Sequence, residues 1–530
     1  MTAPAVDVGA ALRPRAVHRV AVEGAPAVLG EAGRARVVAA HATLQRLVAE
    51  RRRIYGVTTG YGPLACHPVL PEQAARLQRS LVHHLATGVG RPLGEPAVRA
   101  IMTARAASLA RGYSGVGLPV IEQLLACLNR GLHPVVPEMG TVGASGDLTP
   151  LAHVALALQG EGEMTVDGQR FPADVALAAA GLAPLCLGHK EGLALVNGTS
   201  AMTGIAALNA VRAARLADCA LVAAVAQAEV FGGRREAWDP RFGLARPHRG
   251  QREVHERLGR LAADAPRLRG YALQPPVLDE RGRVGDLLPR GELPQDPYTT
   301  RCVPQLFGAV RDLLRFHART VTTELRSASD NPLVFPDEEA LLHGGNFYGQ
   351  HVAFASDGLA LAVAKVAVWA ERALARLADR ARNDGLPAFL HGGDDGLDSG
   401  FMGAQVTATA LVAELRSRAT PASIQSIPTN ADNQDVVTLG TIAARKAAEA
   451  LDLAWTVVAI HAMALAQAME QRAAKGGDGF GAASRRLARV VRRVHPPLGR
   501  DRALSPEIAR VAAALEARAW CPAEVPLTHA

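Results

Sequence analysis

Long apolar segments at helical spacing dominate the second half of the chain. Residues 441 to 475 contain neither glycine nor proline, and similar segments run from about 205 to 231, 305 to 328 and 352 to 383. Alanine, the strongest helix former, is abundant in them and lets neighbouring helices approach closely. Several are apolar around most of their circumference, which is typical of helices buried on more than one side. The pattern predicts a bundle of long helices and favours an oligomer.

The first part of the chain has a different pattern. Up to about residue 198, short helical patterns alternate with loops rich in glycine and proline, and "GEMTVDGQRF" places Asp-Gly between alternating residues, as in a β-hairpin. We therefore expect a mainly all-α protein in two parts. Residues 1–198 form an N-terminal domain of short helices and loops, and residues 199–530 form the long-helix bundle and a C-terminal helical region.

Composition and charge favour a globular protein without a nucleic-acid partner. The 530 residues are 49% hydrophobic, which is enough for a large core. The net charge is +8, but the 58 basic and 50 acidic side chains are mostly interleaved, and the basic stretch "RRLARVVRRVH" alternates with Leu and Val as a solvated helix face would. No nucleic-acid partner is expected; a helical scaffold that binds nucleic acid through this face is the non-enzymatic alternative.

The sequence favours a cytoplasmic protein without a membrane segment. No stretch reaches about 20 uninterrupted apolar residues, and the opening residues lack a basic segment followed by an apolar run. The cysteines are scattered without a CxxC pair, so we expect buried thiols, no disulfide framework and no metal site. They are Cys66, Cys127, Cys186, Cys219, Cys302 and Cys521.

Candidate chemistry is concentrated in loops between helices, where sites in helical proteins commonly lie. The stretch "GTVGASGDLTP" at 140–150 combines three glycines with small residues. Other loops offer aromatic, amide and charged groups: "IYGVTTGYGP", "LVHHLATG", "ALVNGTSAM", "PQDPYTTRCVPQ", "SASDNPLVF", "HGGNFYGQH", "ALVAELRS" and "TNADNQDVV".

In this order, these motifs resemble the aromatic amino acid ammonia-lyases, the family of histidine, phenylalanine and tyrosine ammonia-lyases and related aminomutases. The likeness runs from about Tyr55 to beyond Gln434, and "GTVGASGDLTPLAH" is its most specific mark. It implies homotetramers in which loops of several subunits complete each active site, and no diffusible cofactor or metal.

The resemblance also implies a built-in electrophile. In the family, the Ala144-Ser145-Gly146 triplet cyclises to a 4-methylidene-imidazol-5-one (MIO): the Gly146 nitrogen attacks the Ala144 carbonyl and two waters leave, one involving the Ser145 hydroxyl. Glycine permits the tight bend without a Cβ clash. The resulting electron-poor carbon binds the substrate through its amine or its ring, and we favour the amine.

Family positions assign roles to further residues. Tyr55 is the base that takes the β-proton, and Tyr298 is a second tyrosine near the MIO. Arg301, three residues later, is a fork for the substrate carboxylate, and one helical turn would point both the same way. Asn197 donates to negative charge developing on the MIO.

Other positions match the substrate pocket. Asn331 adds a carboxylate bond, and Glu414 lies near the amine. The remaining pocket positions are Gly62, Asn433 and Gln434, while Gln305 and Phe347 match positions that fit either packing or a supporting role.

The substrate is predicted from His84 and Leu85. The tyrosine branch has His-Leu there, the phenylalanine branch Phe-Leu and the histidine branch Ser-His, and a buried imidazole needs the partner that a para-hydroxyl supplies. We therefore expect conversion of L-tyrosine to trans-4-coumarate, with lesser activity on L-phenylalanine. A tyrosine 2,3-aminomutase and a histidine ammonia-lyase stay open as alternatives. Tyr61 replaces the Phe usual in "TGFG".

Overall fold

The computed structural model describes residues 4–273, 284, 294–476 and 479–517. It is mainly helical, with 58% helix and 8% strand, which confirms the predicted fold class. The α-helices of the described residues are α1 (Pro14–Ala21), α2 (Glu31–Ala49), α3 (Ala74–Leu85), α4 (Glu95–Leu109), α5 (Leu118–Asn129), α6 (Leu148–Leu158), α7 (Ala173–Ala179), α8 (Glu191–Val196), α9 (Ser200–Val230), α10 (Pro240–Ala245), α11 (Arg249–Leu261), α12 (Tyr298–Arg301), α13 (Val303–Glu324), α14 (Gln350–Ala378), α15 (Met402–Arg418), α16 (Gly440–Ala474), α17 (Ala482–Arg492) and α18 (Ser505–Glu516).

Proline marks the start of many of these helices. A proline in the first turn has no N–H to leave unpaired and already has the backbone angle of a helix. This signal opens α1, α4, α5, α10, α13 and α18, with Pro14, Pro96, Pro119, Pro240, Pro304 and Pro506.

The strands are short and form small ribbons. They are β1 (Val6–Asp7), β2 (Ala27–Val28), β3 (Val89–Pro92), β4 (His133–Pro134), β5 (Pro137–Met139), β6 (Glu163–Val166), β7 (Gln169–Pro172), β8 (Leu333–Phe335) and β9 (Ala340–Leu342). Strands β6 and β7 pair antiparallel around Asp167 and Gly168, whose φ angles of 48° and 78° suit a tight hairpin turn. The predicted hairpin is confirmed.

Three long helices form the centre of the bundle. Helix α16 packs along α9 and α14, and α13 packs against α14 and α9. Every residue of α9 is buried except Arg212 and Arg215, which are partly exposed. The predicted long helices are thus confirmed, and burial around the whole circumference is observed for α9.

Two large apolar clusters fill the interior. One comes mostly from residues 6 to 208, and the other comes from residues 213 to 515. Helix α9 contributes to both. The division of the chain after residue 198 stays a prediction.

Two helices among the described residues, α14 and α16, are long and apolar enough to cross a membrane by length and composition alone. In the fold, 67% and 72% of their most apolar segments are buried inside the protein. Of the described cysteines, Cys127 and Cys219 are buried, whereas Cys66 and Cys186 are exposed, so the expectation of buried thiols is wrong for those two. Cys521 lies outside the described residues.

Candidate active site

The loop between β5 and α6 contains the Ala144-Ser145-Gly146 triad in a conformation that needs small residues. Gly146 has a φ of +76°, and a Cβ there would lie 2.2 Å from the Gly198 carbonyl oxygen. Gly146 pairs with Gly198 in an isolated parallel bridge, and the Asp147 N–H donates to the Gly198 oxygen at 2.7 Å. Any side chain at position 146 would break this close approach. The backbone therefore fits a triad that must bend sharply.

The carbonyl oxygen of Ser145 accepts two hydrogen bonds. Asn197 Nδ2 donates to it at 2.8 Å, and the Gly198 N–H donates at 3.4 Å. Fixed donors around one oxygen stabilise negative charge that develops there. The structure thus places Asn197 beside the triad, as the sequence predicted.

A buried arginine fixes Asn197 from behind. Asn197 follows α8 and is 4% exposed, and its backbone oxygen accepts a hydrogen bond from Arg105 Nη1 at 2.6 Å. Arg105 also donates to Ser108 Oγ at 2.8 Å. Burial lowers the pKa of Arg105, while the carboxylates of Asp330 and Asp147 oppose this shift. The Asn197 amide is therefore held by a rigid, charged interior.

The hydroxyl of Ser145 has its own partner. Gln434 Nε2 lies 3.0 Å from Ser145 Oγ, and Gln434 Oε1 accepts a hydrogen bond from Thr429 Oγ1 at 2.8 Å. Both oxygens of Ser145 therefore face side-chain amide groups.

Three helices begin near the triad. Helix α6 starts at Leu148, α9 at Ser200 and α16 at Gly440. The Asp147 carboxylate joins their starts, because it accepts hydrogen bonds from the Met202 N–H at 2.8 Å and from the Thr441 hydroxyl. Burial raises the pKa of Asp147 to about 6. Helix N-termini carry partial positive charge, so they stabilise negative charge that develops at the triad.

A cavity of about 1130 Å³ opens in front of the triad. Most of the predicted site residues line it. They are Tyr55, Gly62, His84, Leu85, Ala144, Ser145, Asn197, Asn331, Phe347, Asn433 and Gln434. Gly146 lies behind this wall, against Gly198.

Tyr55 presents its hydroxyl to a backbone donor. The Gly62 N–H donates to Tyr55 Oη at 2.8 Å, and the Tyr55 N–H donates to His343 Nε2 at 3.3 Å. This hydrogen bond fixes the phenol oxygen at the cavity wall, within reach of a bound ligand. Gly62 therefore acts through its backbone.

The neighbouring Tyr61 is less suited to be a base. The rings of Tyr55 and Tyr61 meet edge to face, with centroids 6.3 Å apart. Burial raises the pKa of the Tyr61 hydroxyl, and the nearby Tyr55 adds to the shift. Tyr61 keeps its proton at neutral pH, so Tyr55 is the better candidate for proton removal.

His84 lies in the last turn of α3 and contributes to the cavity wall. Its Nδ1 lies 3.1 Å from the Ser80 carbonyl oxygen, so in the neutral ring Nδ1 is the donor and Nε2 is an acceptor. We expected a buried imidazole, but His84 is exposed in the single chain. The exposure arises because the helix end points into an open cavity.

Asn331 is oriented by a backbone contact. Its Oδ1 accepts a hydrogen bond from the Gly344 N–H at 2.7 Å, which leaves its amino group as the donor for a ligand. This arrangement fits a partner for a carboxylate.

Besides Gly146, four predicted residues do not line the triad cavity in the described part of the chain: Tyr298, Arg301, Gln305 and Glu414. Tyr298 is 69% exposed, and the Arg301 guanidinium lies over its ring, 4.5 Å from the centroid. The prediction that both point the same way is confirmed. Arg301 and Gln305 line a different cavity, and Glu414 pairs with Arg418 on the surface of α15. Within the described residues of a single chain, these four residues therefore do not join the triad cavity, and their assignment to the site stays a prediction.

Two supporting residues were missed by sequence reasoning. Thr429 lies in the quoted stretch "TNADNQDVV", and Arg105 lies inside the apolar pattern of α4. A lone threonine in a loop and a lone arginine in a helix have no spacing signal, so only the three-dimensional contacts reveal them.

Comparisons with known proteins show which family this chain is similar to. The aromatic amino acid lyase family matches residues 12–493. A tyrosine ammonia-lyase of Cereibacter sphaeroides is 47% identical over 96% of this chain and 97% of its own, and a histidine ammonia-lyase of Symbiobacterium thermophilum is 43% identical over 96% of each. A crystal structure of tyrosine aminomutase from Streptomyces globisporus is 38% identical, with a TM-score of 0.92 over 98% of both chains.

Together with the triad and its cavity, these similarities identify an ammonia-lyase, an enzyme that breaks a carbon–nitrogen bond. The chain belongs to the aromatic amino acid lyase family, whose members use an MIO prosthetic group.

Proposed function

We propose that this enzyme is a tyrosine ammonia-lyase that eliminates ammonia from L-tyrosine to give trans-4-coumarate, with lesser activity on L-phenylalanine. The observation that carries the substrate is the His84 imidazole. Its Nδ1 is engaged by the Ser80 carbonyl, so Nε2 is an acceptor for a phenolic O–H at the cavity wall. Once a bound ring fills the cavity and excludes water, a phenyl ring would leave that acceptor without a partner.

The triad residues fit an MIO made from Ala144, Ser145 and Gly146. Gly146 occupies a bend that excludes a side chain, and the Ser145 oxygen already has two donors. Such a group supplies an electrophile that makes the substrate's amino group a better leaving group. Asn197 and the Gly198 N–H stabilise charge on the former Ser145 oxygen.

Tyr55 removes the β-proton in this proposal. Its oxygen lies at the cavity wall and accepts a hydrogen bond from the Gly62 N–H, which fixes the position of the oxygen that takes the proton. Asn331 contributes an amide donor for the substrate carboxylate.

In this proposal, the remaining contacts with the substrate come from other subunits. Tyr298, Arg301 and Glu414 do not line the cavity of the described chain, so we propose a cytoplasmic homotetramer in which neighbouring subunits bring them to the triad. The Arg301 guanidinium of a neighbouring subunit then binds the substrate carboxylate in the site that contains Ser145.

Two other reactions are alternatives. The likeness to the tyrosine aminomutase from Streptomyces globisporus, at a TM-score of 0.92, favours as second candidate a tyrosine 2,3-aminomutase that returns ammonia to the β-carbon. The 43% identity to a histidine ammonia-lyase keeps L-histidine as a third substrate, although the His84-Leu85 pair speaks against it.

Incubation with single amino acids tests the proposal. We expect the highest kcat/KM with L-tyrosine, measured by coumarate absorbance, lower values with L-phenylalanine and none with L-histidine. Chromatography of the tyrosine reaction checks for β-tyrosine. A dominant β-tyrosine product, or urocanate from histidine as the fastest reaction, would contradict the proposal.

A further inference from the structure

The side chain of Gln434 is held in one orientation. Residues 429 and 434 face each other in an isolated antiparallel bridge, with the Thr429 N–H donating to the Gln434 oxygen at 3.1 Å and the Gln434 N–H donating back at 3.3 Å. Between them, Asn430, Ala431 and Asp432 all have positive φ angles, of 56°, 53° and 58°. This closed turn brings the Thr429 hydroxyl to Gln434 Oε1, at 2.8 Å.

That contact decides which end of the carboxamide faces the triad. The oxygen and the amino group of a glutamine have nearly the same shape, so only hydrogen-bond partners distinguish the two orientations. The Thr429 hydroxyl donates a hydrogen bond to Oε1. Nε2 is therefore the atom that lies 3.0 Å from Ser145 Oγ. Without this hydroxyl, nothing at Thr429 would prevent the amide from turning its oxygen toward Ser145.

We propose that Gln434 assists the departure of the Ser145 hydroxyl during MIO formation, and that Thr429 is the positioning residue that aims it. The inference rests on the proposed conversion of the triad. It assigns to these residues a role in making the electrophile, in addition to any contact that Gln434 makes with substrate.

The chemistry balances without an oxidant or reductant. Ring closure joins the Gly146 nitrogen to the Ala144 carbonyl carbon, and the former carbonyl oxygen takes the Gly146 N–H proton. That hydroxyl leaves with the Ser145 N–H proton as the first water, and a C=N bond forms between the Ala144 carbon and the Ser145 nitrogen. In the second dehydration the Ser145 Cα–H bond breaks and its electrons form the Cα=Cβ bond. The Cβ–Oγ bond breaks, the oxygen keeps the bonding pair, and with a proton it leaves as the second water.

Gln434 acts in this second step only. An amide cannot supply the proton, but its N–H can donate a hydrogen bond to an oxygen that gains negative charge as its bond breaks. Once the oxygen has gone, Nε2 has lost that acceptor and becomes a donor free for other groups in the cavity that Gln434 lines.

The test follows the mass of full-length chains during cell-free synthesis. Thr429→Val removes the hydroxyl while keeping the shape, and Gln434→Glu replaces the donor with an acceptor. We expect both variants to close the ring but to accumulate chains lighter by a single water, with the second loss at least about tenfold slower than in the wild type. Thr429→Ser keeps the hydroxyl and should lose both waters normally.

Thr323→Val is the matched control, because among the described residues this exposed hydroxyl on α13 bonds only to the local Arg319 oxygen, at 3.2 Å. A wild type that loses no water would contradict the proposed function itself. If the wild type loses two waters, the inference is overturned when Thr429→Val and Gln434→Glu lose both at the wild-type rate. It is also overturned when they lose none, since that result means a structural role in ring closure.

Discussion

Ser145 is enclosed by donors on both of its oxygens. Asn197 and Gly198 face the carbonyl oxygen, and Gln434 faces the hydroxyl. So many fixed donors add little to the stability of an unmodified serine. The same arrangement is well suited to a residue whose oxygens change during maturation and catalysis, because preorganised donors act without further rearrangement.

His84 gives the sharpest residue-level prediction. Exchange of His84 for Phe removes the acceptor for a para-hydroxyl and adds an apolar surface for an unsubstituted ring. We expect the ratio of kcat/KM for L-tyrosine over L-phenylalanine to fall by about tenfold or more, the typical cost of an unpaired polar group. Steady-state rates with both substrates measure the ratio.

The neighbouring His83 provides the control. It pairs with Glu161 at 2.8 Å and does not belong to the cavity wall of the described residues. His83→Phe should leave the substrate ratio unchanged. A retained tyrosine preference in His84→Phe would remove the basis for assigning the substrate.

Sequence alone located most of the cavity wall, since Tyr55, His84, Asn197 and Gln434 lie in recognisable stretches. It could not show how they are held. The exposure of His84 and the Thr429 contact depend on where a helix end and a turn come to lie in space, and neither leaves a periodic signal in the chain.

Helix α8 is a short element fixed at both ends by buried charge. At its start, Lys190 is fully buried, donates to the Ser114 oxygen at 2.9 Å and pairs with Asp330. Burial lowers the pKa of Lys190, and Asp330 offsets the shift. At its end, Asn197 is held by Arg105. The helix therefore sets the distance from this ion pair to the Ser145 oxygen.

Removal of one partner should destabilise the protein. Asp330→Asn leaves the Lys190 charge buried without a counter-ion, and we expect the free energy of unfolding to fall by about 3 kcal/mol. Denaturant unfolding measures the shift. The control is Asp452→Asn, because Asp452 is 65% exposed and pairs with Arg212, and we expect less than about 1 kcal/mol there. Equal shifts in the two variants would contradict this role.

The helices show which helix ends the hydrophobic periodicity of the sequence predicts and which it does not. The segments predicted near 205–231 and 305–328 correspond to α9 and α13, with ends within a few residues. The segment predicted to reach 383 ends at Ala378, because Asp379 adopts an extended backbone. No glycine or proline marks this point before Gly385, so the sequence held no stop signal.

For the whole molecule, the proposed tetramer explains both why the cavity is open and why Tyr298 and Arg301 do not line it in the described chain. Large apolar side chains on α14, Phe354 and Leu361, are 53% and 49% exposed. Such residues fit a surface that other subunits cover. The apolar helices in the sequence indicated an oligomer, but the position of each site residue could be determined only from the fold.

Subunit complementation tests the shared site. Tyr55→Phe and Arg301→Met should each be nearly inactive as pure proteins. If Tyr55 and Arg301 of one site come from different chains, coexpression forms some sites that contain both native residues, and partial activity returns. Activity of purified mixed oligomers provides the measurement. Complete inactivity of mixed oligomers would place both residues in one chain and contradict the proposal.

The most direct measurement of the central claim is the rate of 4-coumarate formation from L-tyrosine by wild type and Ser145→Ala, each checked for unchanged helix content. The account predicts rapid coumarate formation by the wild type and a loss of at least about a thousandfold in Ser145→Ala, because alanine cannot supply the electrophilic carbon. Coumarate formation by Ser145→Ala at the wild-type rate would contradict it.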